Sequence, residues 1–405
     1  MRRIVVARLA VLVAFVAAAV PAAPAAAQDV KTGQNIAITV RGIFSGSLYA
    51  QDATFGTGNG QKAQYVTGEL NDWIHGGDAR NMRLTLGLTG PEIKPGWRGN
   101  ATFEMDFFGA FTSGGNFGDE QPQPRLRLAY VDLTDGRTTW RVGQDWSLTL
   151  GNIPQSTSHV GFPLGWGPGG FIGWRFMQVK MIRTLSKPGA RTTTRLHLAL
   201  LKGSWNDGEA GGGDDTPTEG ERTLLPQIEG RLDFSTARWS AYVVAHVDSK
   251  DSIDAAGTNL TSWDLEGGFS TTRGKISLAG NAHFGQGMGH QFAHIVQFGD
   301  IAGWGAWAQV GYTLNPKWSV WGFYGTERPN ESDITNNAVT DATGAAIGLA
   351  ARRFSSWLFV PMLRYKSGPY ALGLEWLHND TQVGPSANNK IRSGNQVLLS
   401  ARYDF

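Results

Sequence analysis

The 405-residue sequence contains no cysteine, has few charged residues (17%) and lacks long apolar stretches beyond residue 27. The absence of cysteine excludes a disulfide scaffold, a thiolate metal site and a cysteine nucleophile. A membrane-spanning helix requires roughly 18–20 consecutive apolar residues, which excludes a protein made of several such helices. With 54 glycines that follow no three-residue period, and with 15 tryptophans, the chain is typical neither of collagen nor of a disordered protein. It must therefore fold, with turns and strands.

The first 27 residues have the features of a secretory signal peptide. Arg2 and Arg3 provide a basic start, residues 4–20 are apolar apart from Arg8, and residues 25–27 are alanines suited to cleavage. We expect residues 1–27 to be removed and residues 28–405 to form one domain. Removal of the three arginines leaves 33 basic against 34 acidic residues, a net charge of −1. No strong global charge is present to attract nucleic acid.

The dominant pattern in the rest of the chain has a period of two residues. Between Arg98 and Phe107 the even-numbered side chains are polar, whereas the odd-numbered ones are glycine, alanine, phenylalanine or methionine. The same alternation recurs in residues 195–200, 227–234 and 275–284. Because successive side chains of a strand point to opposite faces, each segment has one polar and one apolar face. Long segments with helical spacing are absent, and the sequence predicts an all-β fold.

The connections between the predicted strands alternate between tight turns and long polar or glycine-rich loops. Short turns at one end and long loops at the other are typical of a transmembrane antiparallel β-barrel of the outer-membrane type, with periplasmic turns and extracellular loops. The pattern predicts 16 strands, and 18 strands stay possible because residues 345–353 could form another. The predicted long loops are residues 51–80, 109–124, 147–174, 202–222, 249–260, 285–303, 327–355 and 381–393.

A soluble sandwich or propeller would show the same alternation, with each apolar face covered by another sheet. The dense charge on the polar faces favours a water-filled lumen instead, and no repeat of 40–50 residues indicates propeller blades. Aromatic residues also lie near the predicted strand ends, where the interfaces of a bilayer would be. These residues are Trp97, Trp140, Trp239, Trp263, Trp318, Trp357, Trp376 and Tyr403.

Three segments resemble a known family. Residues 126–130 (LRLAY), residues 140–147 (WRVGQDWS) and the last strand, residues 394–405, are similar to segments of the DcaP-like porins of proteobacteria. Tyr403 and the terminal Phe405 resemble the signal read by the outer-membrane barrel assembly machinery. The resemblance implies a homotrimer in the outer membrane, in contact with the lipid bilayer and lipopolysaccharide. It also implies small organic acids as solutes, and a loop after the fifth strand that folds inward to narrow the channel.

Several motifs that could carry other chemistry fail on inspection. Residues 165–170 spell a nucleotide-binding glycine motif, but no helix follows and Pro168 disrupts the turn. His290 and His294, with His283 nearby, could hold a metal ion only if the segment between them were helical. We therefore expect no metal and no cofactor, although a role for these histidines in metal binding stays open.

The acidic residues within 207–221 could bind Ca²⁺, but the flanking glycines favour a solvated loop. This question also stays open; the residues concerned are Asp207, Glu209, Asp214 and Asp215. His246 and His283 lie on polar faces without a serine that singles itself out as a nucleophile. We identify no catalytic residue and expect that the protein is not an enzyme.

The polar faces predict the lining of a pore. The predicted basic lining residues are Arg83, Arg98, Arg125, Arg127, Arg141, Arg175, Lys180 and Arg195. The predicted acidic lining residues are Glu104, Asp106, Asp145, Glu229, Asp233, Glu266 and Glu375. The predicted constriction loop, residues 147–174, contains Trp166 and has His159 as its only titratable side chain.

Arg98, Arg125, Arg127 and Arg141 come from neighbouring strands and are expected to converge beside the constriction loop. Such a basic wall would attract anions, and guanidinium groups match carboxylates in shape. Alternatively, these arginines pair with acidic residues of adjacent strands and only brace the barrel. The sequence thus predicts a porin that passes small hydrophilic solutes by diffusion, with a moderate preference for anions. A structural, adhesive or enzymatic outer-membrane barrel is the alternative.

Overall fold

The computed structural model describes residues 29–31, 36–56, 58, 60–109, 111–114, 119–203, 225–251, 259–341 and 345–405. The predicted signal peptide and the acidic residues Asp207, Glu209, Asp214 and Asp215 lie outside the described residues. No helix within these ranges has the length and apolar character needed to cross a membrane.

The described residues are mostly strands. In chain order these are β1 (Asp29–Lys31), β2 (Ala37–Phe55), β3 (Val66–Asp78), β4 (Arg83–Lys94), β5 (Trp97–Asp106), β6 (Phe111–Gly114), β7 (Asp119–Pro122), β8 (Arg125–Thr134), β9 (Thr138–Trp146), β10 (Arg175–Thr184), β11 (Thr193–Leu201), β12 (Gln227–Ser235), β13 (Trp239–Asp251), β14 (Asn259–Arg273), β15 (Ile276–Gln286), β16 (Ala302–Thr313), β17 (Trp318–Pro329), β18 (Arg353–Ser367), β19 (Tyr370–Val383) and β20 (Lys390–Asp404). One α-helix, α1 (Glu331–Asn336), and 3₁₀ turns at Gly60–Lys62, Gly289–Gln291, Leu349–Ala351 and Ser386–Asn388 lie in the connections.

The strands close into a barrel. Eighteen of them form one sheet, and β6 and β7 form a separate hairpin. Consecutive wall strands pair antiparallel, and β20 returns to β2 with Ile43 opposite Asp404, which closes the ring. β3 and β4 follow one another along the same side of β2 and act as a single wall strand, while β1 only extends the edge of β2. The barrel therefore has 16 strands, as predicted. Residues 345–352 contribute only an isolated bridge and a 3₁₀ turn, so the alternative of 18 wall strands is wrong.

One predicted loop is partly a strand. Residues 51–80 were expected to form a loop, but residues 66–78 form β3 and pair with the second half of β2. In the segment VTGELNDWIHGGD, the alternation of Val66, Gly68 and Leu70 with polar residues is interrupted at Asp72 and Trp73, so a period of two did not identify the strand. Backbone N–H and C=O groups make the pairing, and any residue except proline supplies both.

The two faces of the wall differ in the way a membrane barrel requires. On β13, Val243 and Val247 are 41% and 45% exposed on the outer face, whereas His246 and Asp248 on the inner face are buried. Exposed apolar side chains continue around the outside, for example Leu88, Phe103 and Leu198. A sandwich would have covered these side chains with a second sheet. The predicted transmembrane barrel is thus confirmed, and its apolar core lies inside the ring around Trp166 and Phe171.

Candidate channel constriction

The constriction loop (residues 147–174) connects β9 to β10 and folds into the barrel. At its start, Glu229 on β12 accepts the Leu148 N–H, and Arg231 Nη1 donates to the carbonyls of Leu148 and Leu150, both at 2.9 Å. Further along, the Gln155 backbone and the Gln309 side chain on β16 exchange two hydrogen bonds of 2.7 and 2.8 Å. The loop therefore crosses the lumen from the β9 side toward the opposite wall.

Glu375 on β19 holds the tip of the loop. Its Oε1 accepts the N–H groups of Thr157 and Ser158 at 2.7 and 2.8 Å, and its Oε2 accepts the Ser156 hydroxyl at 2.7 Å. The Ser158 hydroxyl adds a fourth hydrogen bond at 2.9 Å, and the Glu375 side chain is fully buried. Because charge-assisted hydrogen bonds are the stronger ones, this carboxylate is the main attachment point of a loop that has no charged side chain.

His159 follows directly after this attachment. Its backbone N–H donates to the Ser156 hydroxyl at 2.7 Å, and its ring is 2% exposed. Burial lowers the pKa of His159, because removal from water disfavours the protonated ring. The predicted titratable residue of the loop is therefore neutral near pH 7 and adds no charge to the constriction.

The glycine-rich residues 165–170 form a compact turn packed against the wall. Trp166 is fully buried, stacks on Phe292 at 4.5 Å and donates its indole N–H to the Gly173 carbonyl at 3.0 Å. Gly170 has φ +73°, and a Cβ there would collide with the Ala306 backbone. Glycine is required here by a positive φ and by close backbone approach. These backbone requirements account for the glycines of residues 165–170, and no nucleotide site is needed to explain them.

Four charged side chains beside the loop form a tight ion-pair cluster. Arg127 bridges Glu104 and Asp106 at 2.7 Å each, and Arg125 reaches Asp106 at 2.8 Å. Arg83 lies farther from Glu104, at 3.7 Å, and its Nη2 donates to the Val160 carbonyl of the loop at 3.2 Å. Arg125 and Arg127 of the expected set thus lie together, with Arg83 in place of Arg98, and all three are paired with acidic residues of an adjacent strand.

A second cluster lies on β8, β9 and β10. Arg141 binds Asp132 with two hydrogen bonds of 2.8 Å and reaches Asp145 at 2.8 Å. Lys180 contacts the same Asp145 at 2.7 Å. Asp132 was missed because alternation from Arg125 and Arg127 places it on the outer face, whereas a register shift between Leu126 and Leu128 brings it to the inner face. Its carboxylate offsets much of the Arg141 charge.

Arg175 has a different environment. Its guanidinium carbon lies 4.9 and 4.7 Å from the ring centroids of Trp146 and Trp174, and the side chain is buried. Both indoles also pack on Trp166 of the constriction loop, at 6.1 and 5.2 Å between ring centroids. Among the described residues, no hydrogen-bond acceptor contacts its Nε or Nη1. Arg175 is therefore a cation at the base of the loop held by aromatic faces.

The structure separates Arg98 and Arg195 from the other basic residues. Arg98 lies opposite Thr134, at the last position of β8, whereas Asp106 lies opposite Arg125 at the first. Arg98 is exposed near a tight turn. Arg195 is also exposed, and it lies near the start of β11, close to the turn that precedes this strand. The expectation that Arg98 converges with Arg125, Arg127 and Arg141 is wrong. Alternation determines the face of a side chain but not its height along the barrel.

The opposite wall contains acidic and imidazole side chains in contact. Glu229 lies 3.0 Å from His246, Tyr242 donates to Glu266, and Asp233 pairs with His197 at 2.8 Å. Glu327 makes two more contacts on this wall. It lies within a predicted loop (residues 327–355), but the structure places it in β17. Its carboxylate binds His283 and His294 at 3.0 Å each. These pairs explain why His283 and His294 are buried rather than solvated.

Space remains beside the loop on this side of the barrel. A cavity of about 450 Å³ lies between the constriction loop and the opposite wall. Asn152, Gln155, Ser270, Gln309 and Trp321 line it, together with the turn between β12 and β13. A space beside an inward-folded loop, lined in part by polar side chains, allows passage of a hydrated solute.

A closed antiparallel barrel of 16 strands with an inward-folded third loop is the fold of the outer-membrane porins. The chain is similar to the outer membrane channel DcaP of Acinetobacter baumannii, at 18% identity over 93% of this chain and 99% of that chain, with a TM-score of 0.71. It is also similar to an anion-selective porin from Comamonas acidovorans, at 15% identity over 91% and 100% of the two chains, with a TM-score of 0.54.

A third similar structure is OmpF of Salmonella typhi, at 9% identity over 93% of this chain and 100% of that chain, with a TM-score of 0.56. No protein-family model and no curated protein matches the sequence. The resemblance to DcaP-like porins is thus confirmed at the level of the fold.

Proposed function

We propose that this chain forms a water-filled channel in the outer membrane, through which small hydrophilic solutes pass by passive diffusion. The observation that carries the proposal is the barrel with an apolar exposed outer face, a charged inner face and a loop attached across its lumen by Glu375. A structural or adhesive barrel would need no polar cavity beside such a loop. No arrangement among the described residues favours an enzyme over a channel.

The moderate anion preference is also part of the proposal. Around the base of the constriction loop, the described wall and its adjoining turns hold more basic than acidic side chains. The basic ones are Lys62, Arg80, Arg83, Arg125, Arg127, Arg141, Arg175, Lys180 and Arg231, and the acidic ones are Asp78, Glu104, Asp106, Asp132, Asp145 and Glu229. This excess supports attraction of anions, and small organic acids are the solute class that guanidinium groups suit.

The size of the preference follows from screening. Two unit charges about 7 Å apart at an effective dielectric constant of 20 interact by roughly 2 kcal/mol. At 0.15 M salt the Debye length is about 8 Å, so a wide, wet pore weakens this interaction. The acidic residues of the opposite wall add a transverse field. We therefore expect modest selectivity that decreases as salt rises.

A planar-bilayer experiment tests both parts of the proposal. Purified wild-type protein should give stepwise conductance, and its reversal potential in a KCl gradient should indicate anion preference. Replacing Arg83 and Arg175 together by Gln should move the reversal potential toward cation selectivity with comparable conductance. Arg98→Gln, far from the loop, is the matched control and should shift it less.

Two outcomes would contradict the proposal at different levels. Absence of conductance steps from correctly folded protein would exclude an open channel. An unchanged reversal potential in the folded double variant would mean that the basic wall only braces the barrel.

A homotrimeric assembly is proposed as well. One similar structure, OmpT of Vibrio cholerae, was determined in a trimer form, at 12% identity over 91% of this chain and 99% of that chain, with a TM-score of 0.53. The exposed apolar outer face supports contact with lipid or with further copies. Native mass spectrometry from mild detergent should give a mass three times that of the chain, and fractionation should find it in the outer membrane.

A further inference from the structure

Three buried side chains from two separate parts of the barrel meet at one point. His246 and Asp248 are two residues apart on β13 and share its inner face. His290 belongs to the 3₁₀ turn Gly289–Gln291 in the connection between β15 and β16. One possible ligand atom from each residue lies within 4.8 Å of the other two, and their exposures are 3%, 2% and 5%.

The orientation of His246 is determined by a carboxylate behind it. His246 Nδ1 lies 3.0 Å from Glu229 Oε1, while its Nε2 is buried and has no hydrogen-bond partner in the described part of the chain. A carboxylate at Nδ1 keeps the proton on that nitrogen and leaves the Nε2 lone pair for a ligand, which is the usual arrangement around metal-bound histidine. Glu229 is in turn held by the Leu148 N–H.

We propose that His246, Asp248 and His290 bind one divalent transition-metal ion. Two imidazole nitrogens and one carboxylate oxygen suit Zn²⁺, Cu²⁺ or Ni²⁺, with water completing the coordination. Ca²⁺ and Mg²⁺ prefer oxygen ligands only and fit less well. Ligand atoms around a tetrahedral zinc ion lie about 3.4 Å apart, given bonds near 2.1 Å, so small side-chain rotations close the site.

The ion would attach the segment between β15 and β16 to β13 of the barrel wall, near the end of the constriction loop. The Gln291 carbonyl, next to His290, accepts the Gly173 N–H, and its side-chain oxygen accepts the Trp174 N–H, both at 2.8 Å. Phe292 stacks on Trp166 of the same loop. A metal ion on His290 therefore stabilises the segment against which the constriction loop closes.

The test uses full-length, untagged mature protein in detergent, stripped with EDTA and desalted. Titration with Zn²⁺ followed by elemental analysis should give one bound ion per chain. Electron paramagnetic resonance of the Cu²⁺-loaded protein should show coupling to two imidazole nitrogens. His290→Asn should remove one of these couplings and weaken binding at least tenfold, and Asp248→Asn should weaken binding without loss of nitrogen coupling.

His197→Asn is the matched control, because His197 is an inner-face imidazole paired with Asp233 outside the cluster. It should leave stoichiometry and spectrum unchanged. Wild-type protein that takes up no stoichiometric metal, or that couples Cu²⁺ to fewer than two nitrogens, would overturn the proposal even if a variant fails to fold. Binding unaffected by His290→Asn would also overturn it. Conductance recorded in EDTA tests the channel separately.

Discussion

At the scale of single residues, the barrel interior depends on a few carboxylates that organise elements other than their own. Among the described residues, Glu375 accepts four hydrogen bonds, all from residues 156–158, which lie more than 200 positions away in the chain. Glu229 on β12 likewise accepts the Leu148 N–H of the constriction loop and contacts His246 on β13. Because a buried N–H without an acceptor costs about 1–3 kcal/mol, each of these carboxylates has an effect well beyond one ion pair.

We expect Glu375→Gln to loosen the constriction loop. The glutamine oxygen can still accept the Thr157 and Ser158 N–H groups, but without the negative charge that strengthens these bonds. The NH₂ group cannot accept the Ser156 hydroxyl, which loses its acceptor at a cost of about 1–3 kcal/mol. Open-channel current noise should rise, and loss of a lumen carboxylate should shift the reversal potential toward anions. Glu92→Gln, exposed near a tight turn, is the control and should behave like wild type. Open-channel noise at the wild-type level in folded Glu375→Gln would contradict the role of Glu375 in holding the constriction loop.

At the scale of elements, closure of the ring depends on the seam between β2 and β20. The Phe405 and Gly42 backbones exchange hydrogen bonds of 2.9 and 3.1 Å, and the Phe405 ring stacks on Phe44 with centroids 5.1 Å apart. Phe405 thus packs against β2 where the ring closes. This packing role is separate from the role in recognition by the assembly machinery that is predicted for Tyr403 and Phe405.

We expect Gly42→Ala to hinder closure. A Cβ at Gly42 would collide with the Phe405 ring and the Arg83 carbonyl, whereas a Cβ at Gly46 on the same strand meets nothing within 4 Å. Overpacking of this kind costs about 1–3 kcal/mol. Refolding into detergent micelles, monitored by heat-modifiable electrophoretic mobility, should therefore be impaired for Gly42→Ala and normal for Gly46→Ala. Equal refolding of the two variants would contradict the packing role, and the absence of assembly machinery excludes an effect on recognition.

At the scale of the whole molecule, the distribution of polarity is the reverse of that in a soluble protein. Apolar side chains such as Leu198 and Val243 are 47% and 41% exposed on the outside, while Glu266, Glu327 and Glu375 are buried inside. This arrangement is stable only if lipid covers the outer face, and the charged groups inside are satisfied by one another and by the loop.

We expect charge on the outer face to be far less tolerated than charge on the inner face. Leu198→Arg, in the middle of β11, places a guanidinium against hydrocarbon and should cost about 2–4 kcal/mol near the bilayer midplane. Thr102→Arg, on the inner face of β5, should cost much less. Urea unfolding of both variants in lipid vesicles, monitored by tryptophan fluorescence, measures the difference. Equal midpoints would mean that the assigned faces are wrong.

Local alternation and the lengths of the connections were sufficient to predict the barrel class and its 16 wall strands, whereas the inward folding of residues 147–174 was implied by the family resemblance. The barrel could be predicted in this way because the period of two is a property of each strand alone, and because turn and loop lengths are read directly from the sequence. Asp132 could not be assigned from alternation, because the register of β8 shifts between Leu126 and Leu128, and even-numbered positions therefore face inward beyond the shift. The position of Arg98 along the barrel axis could be determined only from the register of β5 with β8.

Only the tertiary structure decided which charges pair, that β3 belongs to the wall, and what the constriction loop binds. The alternation of β3 is interrupted at Asp72 and Trp73, and its pairing uses backbone groups that leave no pattern in the sequence. The hydrogen bond from Thr157 to Glu375 joins residues 218 positions apart, and His290 meets His246 across two strand connections. Such contacts arise when the ring closes and the loops fold into a lumen of limited width, so no local stretch of sequence contains them.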